Sequence, residues 1–529
     1  MPEAPMTDQL EIYDTTLRDG SQQEGISLTV ADKLRVARLL DALGVAFIEG
    51  GWPGANQKDT EFFERAQSEL DLGAARLVAF GMTRRPGGSV ERDEVLSHLL
   101  EAGTEHVCIV GKAWDYHVTD ALRTDLDEGV RMVGESIEYL AGKGREVFFD
   151  AEHFFDGYRA NPDYAIRVLR TAHEAGATRL VLCDTNGGTL PGEVSRTLAA
   201  VQVALPRAEL GVHFHNDTGT AVASSLLAVD AGVRQVQGCL NGYGERTGNA
   251  DLSVLIPDLQ LKMGVQAIPA DNLPHLSATA HHLAEIVNIT LDPHRPYVGS
   301  SAFTHKAGLH TSALARRSDA YEHESPASVG NATRMLVSEM AGKASIHSKA
   351  AELGLEMDDE LAKRVIEVVK EQEHAGYHYE AADGSFELLV RRLTGWEQPY
   401  FELESFRVDT IRRANEDVSA EATVKVVVDG ERRISVGEGV GPVHALDQAL
   451  RGALADHHPA VGDLRLVDYR VRVLDSSDGT SARVRVLLET ANHDGSWSTI
   501  GVHENVIEAS WEALVEGIVI GLLRAGGAG

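Results

Sequence analysis

Cysteine is scarce in this 529-residue chain, with only Cys108, Cys183 and Cys239, far apart. None belongs to a CxxC pair or has a zinc-finger spacing to a histidine. A disulfide framework is therefore excluded as the organising device, and a reducing cytosol fits. Each cysteine lies in an apolar, strand-like stretch, so three small buried thiols are expected. No apolar run approaches the roughly 18 residues that a membrane helix needs. The N-terminal MPEAPMTDQLEIYD lacks both a basic and an apolar signal region. Positive charge is short as well: 49 Lys and Arg against 80 Asp and Glu leave a net charge of −31. That excludes nucleic acid and an anionic membrane as main partners. Any site for a small anion must be built locally, from a few arginines, a metal or helix N-termini. Low-complexity tracts and short-period repeats are also missing. The expectation is a cytoplasmic globular protein of more than one domain.

What the chain does have is a rhythm. Apolar runs at 10–16, 45–51, 76–81, 105–110, 145–150, 178–183, 208–214 and 234–239 alternate with amphipathic stretches such as 30–43, 161–176 and 217–232. Several of these stretches end at or next to a glycine, among them Gly44, Gly103, Gly176 and Gly232, as helix C-termini do. Eight strand-then-helix units in about 260 residues predict a closed parallel (β/α)8 TIM barrel over residues 8–265. An open doubly wound sheet would favour a glycine-rich phosphate turn after an early strand, and the first strand runs instead into DTTLRDGSQ. Residues 266–385 read as a helical linker region, with a clear amphipathic helix at 357–373. From 386 to 529 the pattern becomes α+β. Alternating stretches stand at 421–428, 465–474 and 481–489, and helices are expected at 442–455 and 506–524.

A TIM barrel carries its active site at the C-terminal ends of its strands. After the seventh run stands His213-Phe214-His215, two imidazoles on one strand face. With a carboxylate they suit a divalent ion that keeps positions open for substrate. Asp19, after the first run, is the best third ligand, because strand one lies two places from strand seven in a closed barrel. Asn249, after the eighth run, offers a neutral oxygen. The plain alternative is two structural histidines closing a loop. Arg18 adds positive charge suited to a developing oxyanion. Asp150 and Glu152 share a strand face, and Thr185 offers a hydroxyl. Two imidazoles and one carboxylate accept Mg, Mn, Co or Zn.

The segments LRDGSQ, CDTNGG, HFHND and NGYGERTGNA, in this order, resemble the DRE-TIM metallolyase superfamily. AFTHKAGLH and the distinct C-terminal domain are similar to its 2-isopropylmalate synthase/citramalate synthase branch. The runs IEGGWPGANQKD, FFDAEHFFDGY and HENVIEASWEAL lean to the citramalate synthase side. The resemblance implies a metal held by Asp19, His213, His215 and Asn249. It implies substrate contacts from Arg18, Gln22 and Thr185, and catalytic roles for Arg18, Glu152, His310 and Tyr321. His305 competes with His310 for the role of base, and the GxH context favours His310. Thr218 departs from the 2-isopropylmalate synthases, where a leucine commonly follows HxHND.

The implied reaction condenses acetyl-CoA with pyruvate and water to (R)-citramalate and CoA, on a route to isoleucine. A homodimer is implied, in which the linker's His310 reaches the partner's site. The C-terminal domain resembles a leucine-binding regulatory domain and is expected to take isoleucine as effector. The rival readings are a 2-isopropylmalate synthase using 2-oxoisovalerate, a retro-aldol hydroxyacyl-CoA lyase, and an amino-acid sensor on a dead barrel.

Overall fold

The apolar runs of the N-terminal half become eight parallel strands: β1 (Glu11–Asp14), β2 (Phe47–Gly51), β3 (Arg76–Met82), β4 (His106–Lys112), β5 (Glu146–Glu152), β6 (Arg179–Asp184), β7 (Leu210–Phe214) and β8 (Gln235–Gly238). In the computed structural model, which describes residues 10–305, 313, 317, 320–335, 343–379, 382–412, 418–474 and 482–526, they close into one barrel in sequence order. The closing pair is parallel, from Glu11 opposite Gln235 to Asp14 opposite Gly238. Strands buried on both faces have no polar side to show, which is why they read as apolar runs.

Several of the intervening helices start where the sequence supplies a cap. Thr29 and Asp32 form a reciprocal capping box ahead of the helix Val30–Leu43. That helix stops at Gly44, whose φ of 92° lies in the left-handed region that favours glycine. Ile12, Ile48, Ala79, Val107, Ile109 and Phe149 point outward into the helical shell. Tyr13, Phe47, Val78, Phe80, Cys108 and Phe148 fill the barrel interior. Phe47 and Phe148 meet edge to face at 5.0 Å. Above this plug the inward positions turn polar, and the mouth begins. All three cysteines are free and buried.

Two compact units emerge among the described residues: 1–303 with 324–332, and 304–323 with 333–529. The expected linker span is thus divided. Its first part, the helix Leu276–Val287 and the turn before it, belongs to the barrel unit, where Asn272 Nδ2 donates to the carbonyls of Ala42 and Leu43, both at 3.1 Å. The second unit contains the helices Lys343–Glu352 and Asp359–His374, with Ile346, Val365, Val369 and Phe386 in their common core.

Beyond them the second unit repeats one motif twice. Three antiparallel strands (Glu402–Ile411, Ser419–Val428, Glu431–Gly439) carry the helix Pro442–Leu454. Three more (Arg465–Val473, Val484–Asn492, Gly495–His503) carry the helix Val506–Ala525. Both helices match the sequence expectation, as do the strands at 419–428, 465–473 and 484–492 within a few residues. The strands Glu402–Ile411, Glu431–Gly439 and Gly495–His503 were not foreseen. The first two are largely exposed and carry charged residues on both faces, so no apolar alternation marks them. No helix among the described residues is long and apolar enough to cross a membrane.

Candidate metal and active site

Strand β7 ends at Phe214, and His215 continues its line as an isolated antiparallel bridge to Asn249. His213 and His215 therefore look into the mouth together, with ring centroids 5.1 Å apart. From the turn after β1, Asp19 places Oδ2 3.4 Å from His213 Nε2 and 3.8 Å from His215 Nε2. One ligand atom from each of the three lies within 4.8 Å of the others, and all three side chains are buried. The expected trio is thus brought together by two strand ends, those of β1 and β7.

The donor set fits a divalent cation on two counts. Asp19 Oδ1 and Asn249 Oδ1 are buried with no hydrogen-bond partner among the described residues. Buried polar oxygens of that kind need an explanation, and an absent ion is one. The Asn249 amide is also turned the right way. Its Nδ2 donates to the Tyr243 carbonyl at 3.1 Å, so the oxygen is the atom left free. Two imidazoles with carboxylate and amide oxygens match the preference of a borderline or hard divalent metal.

Electrostatics sharpen this reading. Burial opposes the Asp19 charge, but Arg18 and the His213 hydrogen bond outweigh it and hold the carboxyl well below the usual range. Burial would lower His213 too, yet its hydrogen bond with Asp19 raises it. His215 is pushed down to about 4 by burial and by the neighbouring His213. A ligand set of one anion and one imidazole held neutral is ready for a positive ion.

Arg18 is fixed from three sides. Its Nε donates to Glu49 Oε1 at 2.5 Å, Nη1 contacts Asp19 Oδ2 at 3.2 Å, and the guanidinium carbon sits 4.0 Å over the Phe80 ring. Glu49, fully buried in the middle of β2, also accepts from Tyr13 Oη and Thr15 Oγ1, each at 2.6 Å. With both oxygens engaged, Glu49 is an anchor for Arg18. Sequence reasoning missed it, although a carboxylate inside the apolar run VAFIEGG was a signal. Gln237, on the inward face of β8, was missed as well. It lies between His213 and Asp150, 2.9 Å from Nδ1 of the first and 3.0 Å from Oδ1 of the second. Burial and the nearby Glu49 raise Asp150 to about 6.

The other expected residues are distributed unevenly. Glu152 is paired with Lys112 of the adjacent strand. Thr185 Oγ1 accepts from the His153 backbone N–H at 2.9 Å, which leaves its own hydroxyl proton to donate. The Thr185 carbonyl accepts from Arg246, whose guanidinium also clasps both oxygens of Asp217. Gln22 is exposed on a short 3-10 turn, whereas its neighbour Gln23 reaches the Gly244 N–H at 3.4 Å. In the second unit, His305 lies 3.7 Å from Glu322, and Tyr321 is exposed in a turn. His310 lies outside the described residues.

Comparison with known proteins divides the chain much as its chemistry does. Residues 9–281 match the HMGL-like family. Residues 297–376 match the homocitrate synthase post-HMGL domain-like family, and 380–521 the LeuA allosteric (dimerisation) domain. The chain is 53% identical over 524 residues to an (R)-citramalate synthase of Streptomyces coelicolor, covering 98% of both chains. It is 51% identical over 526 residues to an (R)-citramalate synthase of Synechocystis, covering 97% of this chain and 96% of that one. For the (R)-citramalate synthase of Aquifex aeolicus the identity is 48% over 522 residues, with 98% and 99% covered.

Proposed function

The chain belongs to the HMGL-like family and, within it, to the (R)-citramalate synthases, and on that premise we propose how its barrel mouth joins acetyl-CoA to pyruvate. The observation that carries the reading is the buried Asp19–His213–His215 group with two oxygens left open beside it. Asp19, His213 and His215, with Asn249, would hold a divalent cation, which when bound supplies Lewis acidity toward the keto oxygen. Mg, Mn, Co and Zn all suit this set.

The chain's own residues do the rest. Arg18, steered by Glu49 and Asp19, presents its remaining N–H donors where negative charge grows on the keto oxygen. Thr185 donates its free proton to the substrate carboxylate, and Gln22 is assigned to the same substrate. A base must take a proton from the acetyl methyl, a weak carbon acid. By family likeness that base is His310, with Glu152 beside it in function and Tyr321 assisting. The carbon nucleophile attacks the keto carbon, the alkoxide takes up a proton, and water cleaves the thioester to release CoA and (R)-citramalate.

A thiol-release assay across 2-oxo acids of graded size tests this. Pyruvate should be the preferred acceptor. A methylene is worth about 1–3 kcal/mol of discrimination, so 2-oxoisovalerate should turn over more slowly. Preference for 2-oxoisovalerate would make the chain a 2-isopropylmalate synthase instead, and cleavage of a hydroxyacyl-CoA without condensation would make it a lyase.

The boundaries 8–265, 266–385 and 386–529 remain our division into catalytic, linker and regulatory parts. The last part we assign to homodimer formation and to feedback by isoleucine, in a cytoplasmic enzyme of isoleucine biosynthesis. Its match to a dimerisation domain supports the first role. So does a row of exposed apolar residues, Tyr469, Val471 and Val473, along one strand face. Val471→Glu should shift the sedimenting species from dimer to monomer, and an unchanged dimer would remove that face from the interface. Calorimetric titration of the full chain should show heat with isoleucine and less with leucine.

A further inference from the structure

Gln237 is fully buried between a metal-site imidazole and a buried carboxylate, and that position determines which way its amide must face. A carboxylate only accepts hydrogen bonds. Gln237 therefore gives its NH2 to Asp150 Oδ1, at 3.0 Å, and turns Oε1 toward His213 Nδ1, at 2.9 Å. An amide oxygen cannot donate, so Nδ1 must carry the ring proton. In the neutral ring that a cation would bind, Nε2, 3.4 Å from Asp19 Oδ2, is then the nitrogen whose lone pair faces the mouth. Nothing comparable acts on the other imidazole, because His215 Nδ1 is buried without a partner among the described residues.

We infer that Asp150 and Gln237 form a positioning relay that locks His213 in the Nδ1–H tautomer, so that Nε2 is the metal-binding atom. Asp150 and Gln237 lie on β5 and β8, so the relay spans the barrel interior. The inference rests on reading Asp19, His213 and His215 as a cation site. Neither relay residue touches the reacting atoms. Partners of this kind fix ring orientation and are worth roughly 10–100-fold in metal affinity.

The test is titration of the metal-free full-length protein with cobalt(II) at pH 8, followed by calorimetry and by the visible absorption of the bound ion. Asp150→Asn keeps the shape of the side chain but can both donate and accept. The Gln237 amide is then free to turn over and offer NH2 to Nδ1, which disfavours the required tautomer. Cobalt affinity should fall by roughly 10–100-fold. The double variant D150N/Q237E restores the pattern, since the introduced carboxylate accepts from the introduced amide and from Nδ1–H together. Its affinity should return toward wild type, a rescue that a purely packing role would not produce. If thermal melting shows that D150N is unfolded, Gln237→Leu replaces it, with the same loss expected. Wild-type binding combined with undiminished binding by the folded single variant, or with no recovery in the double variant, overturns the relay alone. No cobalt binding by wild type overturns the cation reading, and the relay with it.

Discussion

Both regions of the molecule bury carboxylates, and they treat them differently. In the C-terminal unit, Glu516 uses both oxygens: one accepts from Ser385 Oγ and the other from Arg392 Nη1 at 2.7 Å. At the barrel mouth, Asp19 uses one oxygen toward Arg18 and the histidines, while its Oδ1, like Asn249 Oδ1, has no partner among the described residues. The electrostatic outcomes diverge accordingly. Burial outweighs Arg392 at Glu516 and raises its carboxyl, whereas Arg18 and His213 outweigh burial at Asp19 and lower it. A closed buried charge is a structural joint, but one kept ionised with an open oxygen is a place for a ligand. Burial alone does not separate the two cases.

The largest effect should come from emptying the open site. Asp19→Ala or His213→Ala removes a ligand and should abolish both cobalt retention and citramalate formation, while the protein still melts cooperatively. Retained turnover with no bound metal would end the distinction drawn above. Next comes Arg18→Ala, which leaves the three ligands in place and removes the charge aimed at the developing oxyanion. A loss of about 10²–10³ in kcat is expected, with cobalt binding preserved. The same change also leaves Glu49 buried with one partner fewer, so the melting temperature should fall as well.

The closed site predicts the opposite signature. Glu516→Ala leaves the half-exposed Arg392 and the buried Ser385 without their acceptor and should destabilise the C-terminal unit by about 1–3 kcal/mol. The readout is chemical denaturation monitored at Trp497 and Trp511, the first fully buried and the second nearly so. Cobalt affinity, a property of the barrel, should not move. A fall in both would mean that the closed charge also supports the site.

The same contrast explains what could be read from the sequence. The eight barrel strands were legible because burial on both faces leaves a plain apolar run. The metal trio was legible because the barrel rule assigns strand ends to one mouth, which turned Asp19 and His213, nearly 200 positions apart in sequence, into neighbours. Two strands of the C-terminal unit, Glu402–Ile411 and Glu431–Gly439, were not legible, since exposed sheet positions place no demand on residue type. Glu49 and Gln237 were overlooked for another reason. Their importance lies in which group each one holds, and the contact between Gln237 and Asp150 spans 87 positions that no local spacing encodes.

The smallest effect probes a case between the two extremes, a buried carboxylate shared by one buried and one exposed arginine. Glu128 accepts from Arg84 Nη1 at 2.6 Å, Arg131 Nη2 at 2.7 Å and the Gly87 N–H at 2.8 Å. The Arg84 hydrogen bond is the main cause that lowers its carboxyl to about 2, from an ordinary value of 4.5. A depressed carboxyl stabilises the fold at every pH above its unfolded value, and the benefit drains away as pH falls toward the folded one. Glu128→Gln keeps the acceptor oxygen and removes only the charge. The variant should melt lower than wild type at pH 6.5, by a margin equivalent to about 1 kcal/mol, since the exposed Arg131 leaves part of the cluster screened by solvent. The margin should narrow between pH 4.5 and pH 3. A gap that stayed constant across that range would show that Glu128 contributes through shape and not through charge, and would place it with the closed sites.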